Sequence, residues 1–228
     1  MKTLKVLRFV VTMLVVVVLA SCGSDDHVEK RLTHGQKEAY AQNISGEYRG
    51  RYIIVYADKD SKEWINEEGR RVKEAHEEDF DGMLLDVSDF KMQHVFFHDF
   101  PVSLISRVVD ADESLRKALA EAPPSAITGR YGFDYDTDYE RITWAFVPNV
   151  MALTLNYGGA DHHIRVEFNN NSQYYRLTED RLKQPRAFSS LAAGGISLQL
   201  EAIYDGSTLL QRFGFEDGNF MHIVFRAD

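Results

Sequence analysis

The chain has 228 residues, 26 basic and 35 acidic side chains, a formal charge of −9 and one cysteine. Such an acidic balance argues against nucleic acid and anionic lipid surfaces as partners, because both are recognised through clustered Lys and Arg. With one cysteine no internal disulfide can form, so whatever folds must be held by its core alone.

Lys2, Lys5 and Arg8 precede an apolar run from Phe9 to Leu19, and the small residues Ala20 and Ser21 stand before Cys22. A basic start, an apolar middle and a small-residue cut site are the three parts of a secretory signal. The run is shorter than the roughly 20 apolar residues a bilayer-crossing helix needs. Leu19-Ala20-Ser21-Cys22 has the form of a lipobox, which predicts cleavage before Cys22 and a lipid on its sulfur. Residues 1–21 are then a signal peptide. Its removal takes away three basic residues and no acid, leaving 207 of the 228 residues with a formal charge of −12, enough for one large domain. Asp25 and Asp26 resemble the acidic export signal that sends Bacteroidetes lipoproteins to the outer face of the outer membrane. The other reading is an ordinary solvated tether, with the protein on the periplasmic face.

Residues 22–45 are polar with scattered apolar side chains and read as a lipidated tether, with some helix between Val28 and Tyr40. Residues 46–228 form a single β-rich domain. Its first strand is announced by Tyr48, Gly50, Tyr52, Ile54 and Tyr56, which alternate with Arg49, Arg51, Ile53 and Val55. Lys59 to Asp79 is dense in charge and supports either a surface helix or a polar edge strand, and Asp81-Gly82 offers a turn. Phe90 to His98 reads as a strand that Phe100-Pro101 ends, since proline lacks the donor a ladder needs. The period then changes: Leu104, Ile105, Val108 and Val109 share a helical face, Asp112 is an N-cap, and Leu115, Ala118, Leu119 and Ala122 continue until Pro123-Pro124. This predicts a short helical pair, about 101–122, inserted in a β domain.

Strands dominate after Ala126. Tyr131, Phe133 and Tyr135 alternate with Arg130, Gly132 and Asp134, and Met151 to Tyr157 pairs with Ile164 to Phe168 across Gly158-Gly159. Ile196 to Tyr204, Leu209 to Phe215 and Phe220 to Arg226 are separated by Asp205-Gly206 and Asp217-Gly218, which predicts a three-stranded meander with positive φ at both glycines. The fold class expected is mainly β, an antiparallel β-sandwich or a partly open barrel.

Phe100-Pro101-Val102-Ser103-Leu104, the helix with Leu115, Lys117, Ala118, Leu119 and Glu121-Ala122-Pro123, the aromatic strand at Tyr131 and the turn Tyr157-Gly158-Gly159-Ala160 together resemble an uncharacterised Bacteroidales lipoprotein family, the domain of unknown function 4840. The likeness covers the chain from about Ile44 onward. It implies the address and a β-rich fold, and it carries over no activity and no site residue.

Candidate chemistry is sparse. His94 and His98 share a face of a strand but stand roughly 13 Å apart, too far to chelate one metal. His162 and His163 point to opposite faces. Asp134, Asp136 and Asp138 have the alternate spacing of a weak calcium site, but Tyr139 and Ala145 stand where an EF-hand needs glycine and glutamate, so the other reading is a solvated turn. No Gly-x-Ser-x-Gly elbow, phosphate-binding glycine loop or His-Glu-x-x-His motif is present. Trp64, Tyr174 and Tyr175 lie in polar stretches and are the candidate ligand-binding rings.

Taken together, these features predict an outer-membrane lipoprotein without a cofactor, a non-enzymatic module that binds a protein or a glycan. The alternative is an envelope hydrolase acting on glycans or peptides through a carboxylate pair. Cys22→Ala should abolish metabolic labelling with palmitate and leave the precursor unprocessed; labelling that persists would remove the lipid anchor.

Overall fold

The computed structural model describes residues 30–228 apart from 138, 170–173, 186, 190, 191, 193, 194 and 215–217. The lipobox with Cys22 lies outside the described residues, as do Asp25 and Asp26. The compact unit considered below runs from Leu32 to Asp228.

The period-two pattern at Tyr48 produces β1 (Glu47–Ala57), with Tyr48, Tyr52, Ile54 and Tyr56 buried. After it come β2 (Glu63–Ile65), β3 (Arg71–Lys73), β4 (His76–Asp86) and β5 (His94–Phe100), then β6 (Ser125–Tyr135), β7 (Ile142–Pro148), β8 (Met151–Tyr157) and β9 (Ala160–Phe168). The remaining strands are β10 (Tyr174–Leu177), β11 (Ile196–Asp205), β12 (Thr208–Arg212) and β13 (Phe220–Ala227). Eleven strands form one sheet in the order β10-β7-β6-β5-β4-β1-β13-β11-β9-β8, with β12 on β11, while β2 and β3 pair by themselves. The large sheet is antiparallel and curls into a half-barrel, so of the two expected architectures the partly open barrel is the one observed.

Its concave face is filled. Trp144, Tyr52, Phe97, Phe100, Phe146, Phe188 and Phe225 are fully buried, and most of their ring contacts are edge-on or tilted, as in Tyr52–Phe100 (5.9 Å), Phe97–Phe146 (5.4 Å) and Trp144–Phe188 (5.1 Å), while Trp144 and Phe146 lie nearly parallel at 6.2 Å. Such offsets suit the ring quadrupole. Two buried polar atoms, the Tyr131 hydroxyl and Trp144 Nε1, have no hydrogen-bond partner, and burial pushes the Tyr131 phenol well above its usual range.

Helical pieces pack on this core. The charged stretch before β1 is not all tether: the compact unit begins at Leu32, and α1 (His34–Ile44) buries Tyr40, Ala41 and Ile44. Thr33 starts α1 with a capping box, its side chain accepting from Gln36 N while Gln36 Oε1 accepts from Thr33 N. The expected helical pair is present as a 3₁₀ helix, Val102–Arg107, and α2 (Glu113–Ala120), with the Asp112 carboxylate accepting from Leu115 N at 2.9 Å. Leu104, Ile105, Val108, Leu115 and Leu119 are all buried, and α2 packs on β8 and on the 3₁₀ helix. A further short helix, α3 (Glu179–Leu182), follows β10.

Three local expectations are corrected. Asp81-Gly82 is no turn: β4 runs through it, and Gly82, at φ +76°, is the residue skipped where the register against β1 shifts. Only glycine takes that backbone without strain, so a turn signal in the sequence marks a bulge. The strand expected from Phe90 begins at His94, because the Asp89 carboxylate accepts from Met92 N and the Asp89 carbonyl from His94 N, which folds residues 90–93 into a turn. The C-terminal meander is broken. Gly206 and Gly218 do have positive φ, at +56° and +85°. β12 pairs with Ala202–Asp205 of β11, but β13 leaves β12 and pairs with Ile196–Gln199 on one side and with β1 on the other. β12 has no fully buried side chain, whereas Phe220, Met221, Ile223 and Phe225 of β13 are buried, so β13 belongs in the middle of the sheet. It is the only described strand that joins the β10-to-β1 half of the ladder to the β11-to-β8 half.

Leu119→Ala should lower stability by about 2–5 kcal/mol through lost burial and a cavity, while Lys117→Ala on the exposed face should change it by less than about 0.5 kcal/mol. Thermal melts of the two variants check this; equal melting temperatures would show that α2 does not seal the core.

Candidate functional site

At one end of the half-barrel, β6, β7 and the edge strand β10 present a face away from the core. Alternation sends Tyr131 and Phe133 of β6 and Trp144 and Phe146 of β7 inward, so Gly132, Asp134, Thr143 and Ala145 lie on the opposite face. The register sets Gly132 opposite Ala145 and Asp134 opposite Thr143. β10 extends the ladder, with Tyr174 paired to Ala145 and Arg176 to Thr143. Small side chains at paired positions leave a groove of about 470 Å3, whose lining includes these four residues with Asp136 and Thr137. That volume falls within the range of small-ligand pockets.

The loop at the end of the groove is well tied. Asp136 N donates to the Arg141 carbonyl at 2.9 Å and Tyr139 N to the Asp136 carbonyl at 2.8 Å. The Asp136 carboxylate accepts from Thr137 N at 2.8 Å and lies 2.7 Å from Arg176 Nε, so this ion pair clamps the β6–β7 turn to β10. Asp134, in contrast, is exposed, accepts from Tyr135 N, and has no basic partner among the described residues.

Two of the calcium candidates, Asp134 and Asp136, and the strand holding Tyr174 and Tyr175 therefore meet at one end of the sheet. Asp138 lies outside the described residues. Among those described, no group of three or more His, Cys, Asp or Glu is placed to hold a metal ion. Tyr175 does not offer its ring to the groove: it packs on Trp144 at 5.5 Å, its hydroxyl accepts from Ser197 N at 2.8 Å, and burial raises its pKa. Trp64 is elsewhere, on the β2–β3 hairpin, exposed and paired with Val72. The residues that shape the groove, Gly132, Thr143 and Ala145, were not among the candidates. Their signal in the sequence is a glycine on the polar side of an aromatic strand.

A second polar cluster sits where two hairpin turns meet. His162 Nδ1 lies 2.6 Å from Asp205 Oδ2, the Tyr157 ring stacks on the imidazole at 3.7 Å, and Gly206 N donates to the His163 carbonyl. Asp205 thereby orients the imidazole and ties β9 to β11. The outer face of β5 carries His94, Phe96 and His98, each histidine beside its own carboxylate: Asp89 at 3.3 Å and Asp86 at 3.9 Å. These pairings fit separate surface contacts, consistent with the strand geometry that keeps the two histidines apart.

A family model described as a domain of unknown function, DUF4840, matches residues 43–185, a span that contains the whole groove and stops before β11. No curated protein and no solved structure matches the chain.

His222, on β13, has its pKa lowered by burial. In the unfolded chain it takes a proton as pH falls through about 6.5, while in the fold it resists, so stability is full above that pH and is lost toward the folded pKa below it. Melts at pH 7.5 and pH 5.5 should show this loss, and His222→Gln should flatten it. A variant with the same acid sensitivity as the parent would place the loss in other groups.

Proposed function

The chain belongs to the DUF4840 family, and from that premise we propose that it is a lipoprotein anchored through Cys22 in the outer membrane, displaying a non-enzymatic ligand-binding domain on the cell surface. The observation that carries the binding role is the groove over Gly132, Thr143 and Ala145. The concave face is packed with aromatic side chains, and the room of the groove on the outward face of β6, β7 and β10 supports reading it as the ligand site. The polar residues just after the lipobox supply reach between the anchor and the domain that begins at Leu32. A hydrolase using two carboxylates fits less well, since Asp136, one of the two described carboxylates at the groove, is held by Arg176.

Trypsin shaving of intact cells should remove the domain, whereas protection from trypsin would put it on the periplasmic face. Ala145→Trp fills the groove without entering the core; it should leave the melting temperature unchanged and remove retention of the native ligand recovered with the wild-type chain from detergent-solubilised outer membrane. Unaltered retention would remove the groove from the function.

A further inference from the structure

We propose that the free edge of β8 is a self-association surface, on which a second copy of this chain pairs its own β8 antiparallel about a two-fold axis at Thr154. β8 closes one end of the large sheet, and among the described strands β9 alone pairs with it. The Gly158-Gly159 turn has φ +59° and +83°, the signs of a type I′ turn, which makes Tyr157 and Ala160 a hydrogen-bonded pair. Bonded and non-bonded pairs alternate along an antiparallel ladder, so Met151, Leu153 and Leu155 turn their backbone groups to β9 while Ala152, Thr154 and Asn156 turn theirs outward. Those last three residues are exposed. Edge strands are ordinarily blunted by shortness, charge, proline or a bulge. At the other end of the sheet, β10 is four residues long and carries Arg176. β8 has seven residues, keeps one register throughout against β9, and contains no charged residue and no proline.

The order of side chains along the strand selects the partner. Reading outward from Thr154, Leu153 mirrors Leu155, Ala152 mirrors Asn156 and Met151 mirrors Tyr157. A two-fold axis at Thr154 pairs all seven residues and keeps the concave faces of both copies on one side, whereas a slip of two residues leaves the ends unpaired and a slip of one sets apolar against polar side chains. On the concave face Leu153 and Tyr157 pack against the core but are only half-buried. The axis sets the second copy's Leu155 beside Leu153 and its Met151 beside Tyr157, which completes their cover. On the opposite face Ala152 stands beside Arg165 of β9 and Asn156 beside Asp161, so each outer row runs from the arginine of one copy to the aspartate of the other. The chain is acidic overall, yet this pairing lays neutral strand on neutral strand and aligns no two carboxylates. A foreign extended peptide would find the same backbone groups, but a second copy brings the matching order of side chains by construction.

Cysteine cross-linking tests the axis. Two Thr154 residues paired across it would have Cα atoms about 5.5 Å apart, inside the span a disulfide bridges, whereas His163, exposed on β9 in the same row, would lie roughly 14 Å from its mate. Mild oxidation of the full chain in detergent should give a disulfide-linked dimer from Thr154→Cys, beyond the level seen with His163→Cys or with the parent, whose one cysteine is Cys22. No excess in Thr154→Cys would reduce the dimer to random collision and overturn the inference. Sedimentation equilibrium of the full chain in density-matched detergent, from about 10 µM to about 1 mM, should show a monomer–dimer equilibrium. Thr154→Lys, which sets two like charges at the axis on an exposed position, should weaken it at least about tenfold and leave the melting temperature unchanged. A parent chain that stays monomeric over this range, or a dimer indifferent to Thr154→Lys, would overturn the inference. A monomeric parent that retains an extended peptide, lost in Thr154→Lys, would give the edge to a foreign strand and overturn the second copy as its occupant.

Discussion

A sheet that curls without closing must have its apolar concave face covered along the open side, and much of this structure answers that constraint. The two ends of the ladder, β10 and β8, do not pair with each other. Near β10, α1 lays Tyr40 against Phe133 with ring centres 5.8 Å apart, the Tyr40 hydroxyl donates to Glu179, and Asn43 Nδ2 donates to the Leu182 carbonyl, so α1 and α3 are fastened to each other. Near β8, α2 supplies Leu115 and Leu119. These helices are too short to persist alone in water, and they hold because the exposed concave face and their own apolar stripes each lack a second surface.

The sequence was legible where local pattern and tertiary need agree. Strand β1, the Gly158-Gly159 hairpin, the Asp112 cap and the apolar faces of the helical pair follow from period and turn chemistry, and the packing keeps them. It was less legible where the deciding partner is distant in the chain. Helix α1 has a narrow apolar stripe amid polar residues, and only the groove between sheet and α3 makes Tyr40 and Ile44 core residues. The meander failed for a related reason: two Asp-Gly turns specify how the chain reverses, while the neighbours of β13 are set by which strands can bury Phe220, Met221, Ile223 and Phe225.

The candidate site shows the same division. Residues chosen for chemistry, such as Tyr175, were drawn inward by packing, whereas the groove is made by residues that have little side chain at all. Asp134 and Asp136 were visible as a spaced acidic series, but their different fates depend on Arg176, which lies far along the chain and reaches Asp136 only through the pairing of β10 with β7. A spacing in one segment cannot foretell which of its carboxylates a distant cation will occupy.

Strand β13 follows every other described strand in the chain, and it is the only described ladder link between the two halves of the sheet. Synthesis therefore delivers the joining strand last. Until then β1 and β11 are raw edges, each able to recruit a wrong strand, so the sheet cannot be completed piece by piece from its N-terminal strands before β13 is available. A product that stops short of Phe220 would therefore keep nearly every other strand yet leave both edges open to aggregation and proteolysis.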